Sequence, residues 1–255
     1  MRTCIAGGSR RRWLTGAALV AAAALPVRGQ GAGNGYLFGV PSGGVTVRAG
    51  WFIARANSDF FDQTRRDLTL DKSDFGGPML GADVAVRLTP QLDLTLDGAW
   101  IGSSTKSHYR DFVDNNNQEI EQTTTLRRVP LTANLKAYLV PRGRTVGSLA
   151  YIPAKVVPWF GIGGGLMWYN LQQSGDFINP TTGEVFNDRF ESSTWGPAVQ
   201  GMGGVDVTLT PRIALSGDAR YLWSRASLED NSRLEGFEKL DLSGVSIALG
   251  VTFRL

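Results

Sequence analysis

The only histidine of this 255-residue chain, His108, is the first candidate for a catalytic residue. His108 has Ser104 and Ser107 close to it in sequence, and a serine activated by a histidine base is the nucleophile of many acyl-transfer enzymes. All three lie in a polar stretch, 103–125, that we predict to connect two strands. Neighbours in such a connection lack the fixed geometry between base and nucleophile that acyl transfer needs. We therefore interpret His108 as a solvated loop residue, predict no catalytic residues and expect that the protein is not an enzyme.

Two other patterns suggest a ligand and are better explained by structure. The stretch 110–121 carries oxygen ligands of the kind that Ca²⁺ prefers, but it lacks the spacing and the glycine of an EF-hand loop. Asp and Asn also tolerate the left-handed backbone of a tight turn, which explains them more simply. The glycines at 161 and 163–165 lie in a strand pattern with no lysine and no following helix, which excludes a phosphate-binding loop. We predict no metal and no cofactor. The oxygen-bearing residues are Asp111, Asp114, Asn115, Asn116, Asn117, Glu119 and Glu121.

Charged side chains that alternate with apolar residues form a third group. We predict that they face the interior of a narrow barrel, where charges must be paired because a lone buried charge costs several kcal/mol. An eight-stranded barrel has an interior that side chains can fill. A closed structural network is therefore favoured, and an ion pathway remains the alternative. The set is Arg48, Asp83, Arg87, Asp93, Asp97, Arg128, Lys136, Asp206, Arg212, Asp218, Arg220 and Arg254.

The elements that must position these charges are strands. Eight segments show apolar residues at every second position, which is typical of strands with two different faces. In the last segment, Val245, Ile247 and Leu249 begin an apolar face that ends at Leu255, opposite Gly, Ser, Ala, Thr and Arg. Alternation of this kind fits a barrel in water as well as a barrel in lipid. The segments are 45–55, 79–88, 92–101, 129–139, 158–169, 195–209, 212–223 and 244–255.

Connection lengths and aromatic residues favour lipid. Tight turns at 89–91 and 210–212 are predicted at one rim, and long polar connections at 55–77, 103–125, 172–194 and 225–239 at the other, which is the asymmetry of bacterial outer-membrane barrels. The connection 141–155 is longer than this rule prefers. Aromatic rings at both strand ends are typical of the two membrane interfaces. Phe253, Tyr138 and Trp159 are assigned to the short-turn rim. The aromatics at the long-loop ends are Trp51, Trp100, Trp168, Trp195, Tyr221 and Trp223.

From Val45 to Leu255 the chain resembles the small outer-membrane β-barrel superfamily that includes OmpA-like and OmpW-like barrels. The likeness rests on 87–92, 129–135, 161–165 and the terminal strand, in which Gly250 precedes apolar residues at the third-last and last positions. It implies an all-β fold, an eight-stranded antiparallel up-and-down transmembrane β-barrel, with termini in the periplasm and loops outside. The peptidoglycan-binding domain of full OmpA-type proteins is not expected.

Residues 1–29 are predicted to be a cleaved signal peptide, followed by a flexible lead-in over 30–44 and the barrel over 45–255. Arg10 to Arg12 precede an apolar stretch from Trp13 to Leu25, and small residues stand before a cleavage site at Gln30. Residues 9–14 also resemble a twin-arginine signal, which leaves the export route open.

Removal of this segment changes the charge balance. Five of the 26 basic residues leave with it, so 21 basic and 23 acidic residues remain, and the bulk argument for a nucleic-acid partner disappears. The only cysteine, Cys4, leaves as well.

These predictions together describe a non-enzymatic protein integral to the outer membrane of a Gram-negative-type cell. It would present four long extracellular loops and support envelope integrity or surface interaction. The alternative is a narrow, porin-like channel for small or hydrophobic solutes. The expected partners are outer-membrane lipid and lipopolysaccharide, and the barrel-assembly machinery through the C-terminal strand; we expect a monomer.

Overall fold

A computed structural model describes residues 35–113, 118–147, 149–178, 185–228 and 239–255. It is mostly antiparallel β-structure, and each of the eight segments predicted to be strands is one. The predicted signal peptide and the first five residues of the predicted lead-in, 30–34, lie outside the described residues. The eight long strands are β1 (Gly43–Ala54), β2 (Gly77–Thr89), β3 (Leu92–Val113), β4 (Glu119–Tyr138), β5 (Val156–Ile178), β6 (Val185–Thr208), β7 (Ile213–Ala226) and β8 (Gly244–Arg254).

These strands form a closed ring. Each strand pairs antiparallel with its neighbours in sequence, and β8 closes the ring by pairing with β1, where Val251 lies opposite Val47. A closed ring leaves no strand with a free edge over the paired length. The two short turns, the first residues of β1 and the last residues of β8 all lie at one end of the ring, which we call the short-turn end.

Two of the four predicted long loops are largely strand. β3 extends to Val113 and β4 begins at Glu119. Likewise, β5 extends to Ile178 and β6 begins at Val185. The prediction of loops over 103–125 and 172–194 was therefore wrong. The buried positions of these extensions mix apolar residues such as Leu126 and Leu171 with polar ones such as Gln122, so the apolar alternation that marks the other strands is broken. Threonine and serine still fit a pleated surface. Ser104 and Thr125, for example, lie opposite each other with their hydroxyl oxygens 3.0 Å apart.

The connection 55–77 folds over the opposite, loop-side end of the ring. It contains the helix α1 (Asp59–Asp67) and a 3₁₀ helix (Lys72–Phe75). Acidic residues in the first turn of α1 and basic residues in its last turn match the helix dipole. The apolar side chains Phe60 and Phe61 are buried. In the connection after β7, Leu240–Asp241 pairs with the end of β7, and 229–238 lies outside the described residues.

A second, small sheet covers the short-turn end. Its strands are Leu37–Phe38, Gly143–Val146 and Ala150–Pro153, with Ala150–Pro153 in the middle. The unusually long connection 141–155 is thus a hairpin of its own, and it pairs with part of the predicted lead-in.

Apolar side chains form one buried cluster at the loop-side end of the ring. It joins the buried face of 55–77 to inward residues of the strands, among them Phe52, Met167 and Tyr169. Below this cluster, toward the short-turn end, the buried interior is mostly polar and charged. Among the described residues, no helix is long and apolar enough to cross a membrane.

Candidate functional site

The outer face of the ring is apolar over a continuous band. Residues that alternate with the buried ones on β1 to β8 point outward, and many large apolar side chains there are exposed. Leu96 is 64% exposed, Ile162 65% and Leu249 65%. Between the row of aromatics near the loop side and the short turns, the outward positions of all eight strands hold no charged residue. The usual arrangement of a soluble protein, apolar inside and polar outside, is reversed here.

The six predicted interface aromatics all lie on this outer face near the loop-side end. Trp168 and Trp195 lie directly opposite each other on β5 and β6. Trp168 is half-buried and the other five are exposed. The three aromatics assigned to the opposite rim all lie at that end of their strands. Phe253 points outward, whereas Tyr138 and Trp159 point into the ring, so the expectation that these two face the membrane interface was wrong. The exposed members at the loop-side end are Trp51, Trp100, Trp195, Tyr221 and Trp223.

Five of the predicted interior charges meet at the centre of the ring. The Arg48 guanidinium lies 3.0 Å from the Asp83 carboxylate and 2.5 Å from that of Asp97. The Arg220 guanidinium lies 2.8 Å from Asp97 and 2.6 Å from Asp218. All but Asp83 are buried as residues, and Asp83 is half-buried. Two arginines therefore share three carboxylates, which is the mutual pairing that buried charges need.

A glycine makes room for this central network. Gly81 lies opposite Arg48 on the neighbouring strand. A Cβ atom at Gly81 would stand 3.0 Å from a guanidinium nitrogen of Arg48, closer than side chains normally approach. The absence of a side chain at Gly81 therefore lets the Arg48 side chain lie along the inner wall of the ring, over β2, and reach Asp97 on β3.

A second pair of charges lies nearer the short-turn end. Lys136 is 3.2 Å from the Asp206 carboxylate, and its ammonium group lies 3.9 Å from the centre of the Trp159 ring. The Trp159 indole and the Ser216 hydroxyl both donate hydrogen bonds to Asp206. Each acceptor atom of this carboxylate thus has a partner.

Asp93 is held by residues that the charge pattern did not indicate. The Tyr138 hydroxyl donates to it at 2.9 Å, and Arg142 donates at 2.8 Å. Arg142 also donates to the carbonyl oxygens of Thr89 and Pro90, so it ties the hairpin 141–155 to the turn between β2 and β3. In the sequence pattern, Tyr138 shares a strand face with Lys136 and Asn134. This pattern could have predicted that the tyrosine points inward. No local signal marked Arg142, because it enters the ring from a connection.

Three predicted interior arginines lie at the short-turn rim without a carboxylate partner among the described residues. Arg87 donates to the carbonyl oxygen of Pro41, and Arg254 to the carbonyl oxygen of Pro211. Arg212 lies in the turn before β7 and is half-buried. Arg87 and Arg254 line a small cavity at this end, together with Lys136 and Arg142.

Arg128 is set apart from the other charges. It is 1% exposed and lies beneath the loop-side apolar cluster, where its guanidinium donates to the Phe75 carbonyl oxygen at 2.6 Å and lies 4.9 Å from the centre of the Phe52 ring. No described carboxylate lies within ion-pair distance of it. Arg128 therefore connects the 55–77 segment to the ring rather than to the charge network.

His108 does not pair with Ser104 or Ser107, and its ring nitrogen lies 3.5 Å from the Thr69 hydroxyl. It lies on β3, not in a loop, and Ser107 points to the opposite face of the strand because successive side chains alternate. Ser104 shares a face with His108 but lies four residues away, which is about 13 Å along a strand. The imidazole instead lies 3.5 Å from the Glu119 carboxylate.

The extended strands also hold a half-buried phenol, Tyr109. The Tyr109 hydroxyl accepts a hydrogen bond from Gln122 at 3.3 Å, and burial raises its pKa above the usual value. Within the described part of the chain, no group of three His, Cys, Asp or Glu side chains could hold a metal ion. The Asp–Asn stretch 114–117 lies outside that part.

Known structures of similar shape are small outer-membrane barrels, the group that the sequence motifs resemble. OprG of Pseudomonas aeruginosa is 15% identical, with 86% of this chain and 99% of OprG covered and a TM-score of 0.48. The Neisserial surface protein NspA is 13% identical, with 89% and 100% covered and a TM-score of 0.44. Ail of Yersinia pestis is 14% identical, with 84% and 99% covered and a TM-score of 0.38.

At this identity and these TM-scores, the likenesses do not indicate what this chain binds or does. No protein-family model matches the sequence, and a comparison with curated proteins gives no match either.

Proposed function

We propose that this protein is an eight-stranded, up-and-down transmembrane β-barrel of the bacterial outer membrane. The observation that carries the proposal is the reversed polarity of the ring, with charges inside and an uncharged apolar band outside. Soluble proteins rarely expose apolar patches larger than a few hundred Å². A band that runs around all eight strands would cause aggregation in water, whereas lipid chains cover it favourably.

The height of the band fits a bilayer. At about 3.3 Å per residue, the stretch from Val129 to Leu139 extends about 33 Å, or about 25 Å along an axis from which the strand tilts by about 40°. That is the height of the apolar band of outer-membrane barrels. The outward tryptophans at the loop-side end would then lie at the interface between lipid and water.

We further propose that the interior is structural and that the loop-side end carries the function. The central ion pairs and the apolar cluster under 55–77 fill successive levels of the ring, and the hairpin 141–155 covers its short-turn end. The two strand extensions, β3–β4 and β5–β6, stand beyond the tryptophans as a four-stranded wall. This wall would present a surface to the outside, and the protein would serve envelope integrity or surface interaction without catalysing a reaction. Its proposed state is a monomer, exported by residues 1–29 and assembled through its C-terminal strand.

Membrane residence is tested with protein refolded in detergent and in lipid vesicles. We expect the folded form to migrate faster on a denaturing gel before heating than after it, and to float with the vesicles. Protein that stays in the aqueous fraction and is indifferent to detergent would contradict the proposal.

A narrow channel is the second candidate function, and the charged interior is the observation in its favour. Conductance across a planar bilayer separates the two functions. A closed interior predicts no unitary current from the wild-type protein. Steady unitary currents that disappear with heat-unfolded protein would overturn the closed-interior proposal and establish the channel.

A further inference from the structure

A groove of about 530 Å³ lies on the outer face of the ring, just beyond the apolar band at the loop-side end. We call it the rim groove. Trp51 and Trp100 flank it, and residues of the 3₁₀ helix and of the strand extensions form its upper part. Its polar side chains include Asp74, Ser104, Thr125 and Arg127.

Glycines line the floor of the rim groove. Gly76, Gly77 and Gly102 belong to it, and a Cβ atom at Gly77 would clash with the backbone carbonyl oxygen of Gly102, so the glycine lets the two strands approach closely. The Trp100 ring lies over Gly102, and a Cβ atom there would stand 2.6 Å from the ring. The groove therefore offers an aromatic face next to backbone and hydroxyl groups, a surface that suits the apolar face and the hydroxyls of a sugar ring.

Positive charge lies in and above the groove. Arg127 is exposed, lies opposite Gly102 on β4, and has no described carboxylate within ion-pair distance. Lys106, also exposed, lies on the same face two outward positions beyond Gly102. The carboxylate of Asp74, the acidic side chain in the lining, accepts a hydrogen bond from the backbone of Asp71 and so caps the 3₁₀ helix. An arginine in this position is suited to a phosphate group, which it binds through charge-assisted hydrogen bonds.

We propose that the rim groove binds the phosphorylated sugar headgroup of a membrane glycolipid. The inference rests on the proposed membrane residence. Arg127 would bind the phosphate, and Trp51 and Trp100 would contact the sugar. The apolar band continues directly below the groove at Leu80 and Leu96, where the acyl chains of the same molecule would lie. This continuity favours a membrane lipid over a soluble glycan, which would leave the band below the groove unused.

The test measures retention of radiolabelled diphosphoryl lipid A by immobilised, folded protein in neutral detergent. We expect Arg127→Gln to weaken binding about tenfold, because a hydrogen-bonded charge pair is lost. Arg144→Gln, the same change at an exposed arginine of the short-turn end, should leave binding unchanged. Gly102→Ala should also weaken binding, because it displaces the Trp100 ring while Arg127 remains. Lipid A without phosphates should bind the wild type about tenfold more weakly, and Arg127→Gln should weaken it no further.

Three results would overturn the proposal: equal effects of Arg127→Gln and Arg144→Gln, equal binding of lipid A with and without phosphates, or full displacement of the lipid by millimolar inorganic phosphate. The gel migration of each variant before heating reports whether it is folded. A folded protein without preference for phosphorylated lipid contradicts only this inference. A wild-type protein that does not enter detergent or vesicles contradicts the proposed function, and the inference falls with it.

Discussion

The two ends of the ring interior are filled in different ways. Toward the centre and the short-turn end, arginine, lysine and aspartate side chains from several strands pair with one another. At the loop-side end, phenylalanine, leucine and methionine side chains pack under the 55–77 segment. Both zones lie within the same ring and are equally buried, so burial alone does not decide the chemistry of an interior position.

The two zones should respond differently to mutation. Each carboxylate of the central network depends on an arginine that also binds another carboxylate, so the loss of one side chain leaves an unpaired buried charge. In the apolar zone, the loss of a side chain leaves a cavity whose cost depends on its volume. Charge substitutions should therefore be strongly coupled, and apolar substitutions nearly additive when they are far apart.

The largest effect is expected from Arg220→Leu. This change removes the described ion-pair partner of Asp218 and one of the two arginines that bind Asp97, and it should lower the free energy of unfolding by about 3–5 kcal/mol. Urea unfolding of the refolded protein in detergent or lipid measures it. Adding Asp218→Asn should recover part of the loss, because one unpaired charge is then removed. The exposed Arg225→Gln is the control. A loss no greater than that of the control would show that the central ion pairs do not stabilise the ring.

A smaller and more local effect is expected from Phe61→Ala in the apolar zone. Phe61 is fully buried and its ring lies 4.5 Å from that of Phe75. The cavity should cost about 3 kcal/mol. Because Phe61 lies in the connection and not in a strand, the loss should appear mainly as faster proteolysis within 55–75, with little change in the unfolding of the ring. Phe112→Ala, at an exposed phenylalanine, provides the comparison; equal cleavage rates would contradict the packing described here.

The smallest effect is expected from Arg142→Gln at the short-turn end. The substitution removes the hydrogen bonds to Asp93 and to two carbonyl oxygens, which should cost about 2 kcal/mol. Hydrogen exchange should become faster over 143–153, since this hairpin loses its attachment to the turn between β2 and β3. Arg144→Gln keeps the attachment and should exchange as the wild type does. Unchanged exchange in Arg142→Gln would mean that the small sheet alone holds the hairpin.

Much of the ring could be predicted from local pattern. Period-two alternation located all eight strands. It also placed Arg48, Asp97 and Arg220 on the polar face of their strands, which we predicted to be the inner face. The loop-side wall could not be predicted in this way, because polar residues such as Gln122, Thr124 and Ser192 occupy its buried positions. Without apolar alternation, the sequence pattern predicts loops for these two hairpins.

The candidate sites were predictable only in part. Side-chain alternation placed Tyr138 on the same face as Lys136 and Asn134. An aromatic residue near a strand end nevertheless favours the membrane interface, and the tyrosine was therefore expected to face outward. No local pattern indicated that Arg142 enters the ring. Alternation correctly placed Arg128 on the inner face, but it could not show that this arginine lies among apolar residues. The rim groove combines β1, β2, β3 and β4 with the 3₁₀ helix, and its floor depends on glycines whose neighbours come from other strands.

The sequence by itself determined which residues share a face, because the side-chain period of a strand is a local property of the backbone. It thereby determined one apolar face, one polar face and the strands that carry them, whereas connection lengths and aromatic positions favoured the apolar face as the outer one. Only the tertiary structure decided which charges pair, as with Arg220 and Asp97, which are 123 positions apart. It also decided that one end of the ring is closed by a helical connection and the other by a hairpin. These choices depend on ring closure and strand register, which bring distant segments together and which no short stretch of sequence encodes.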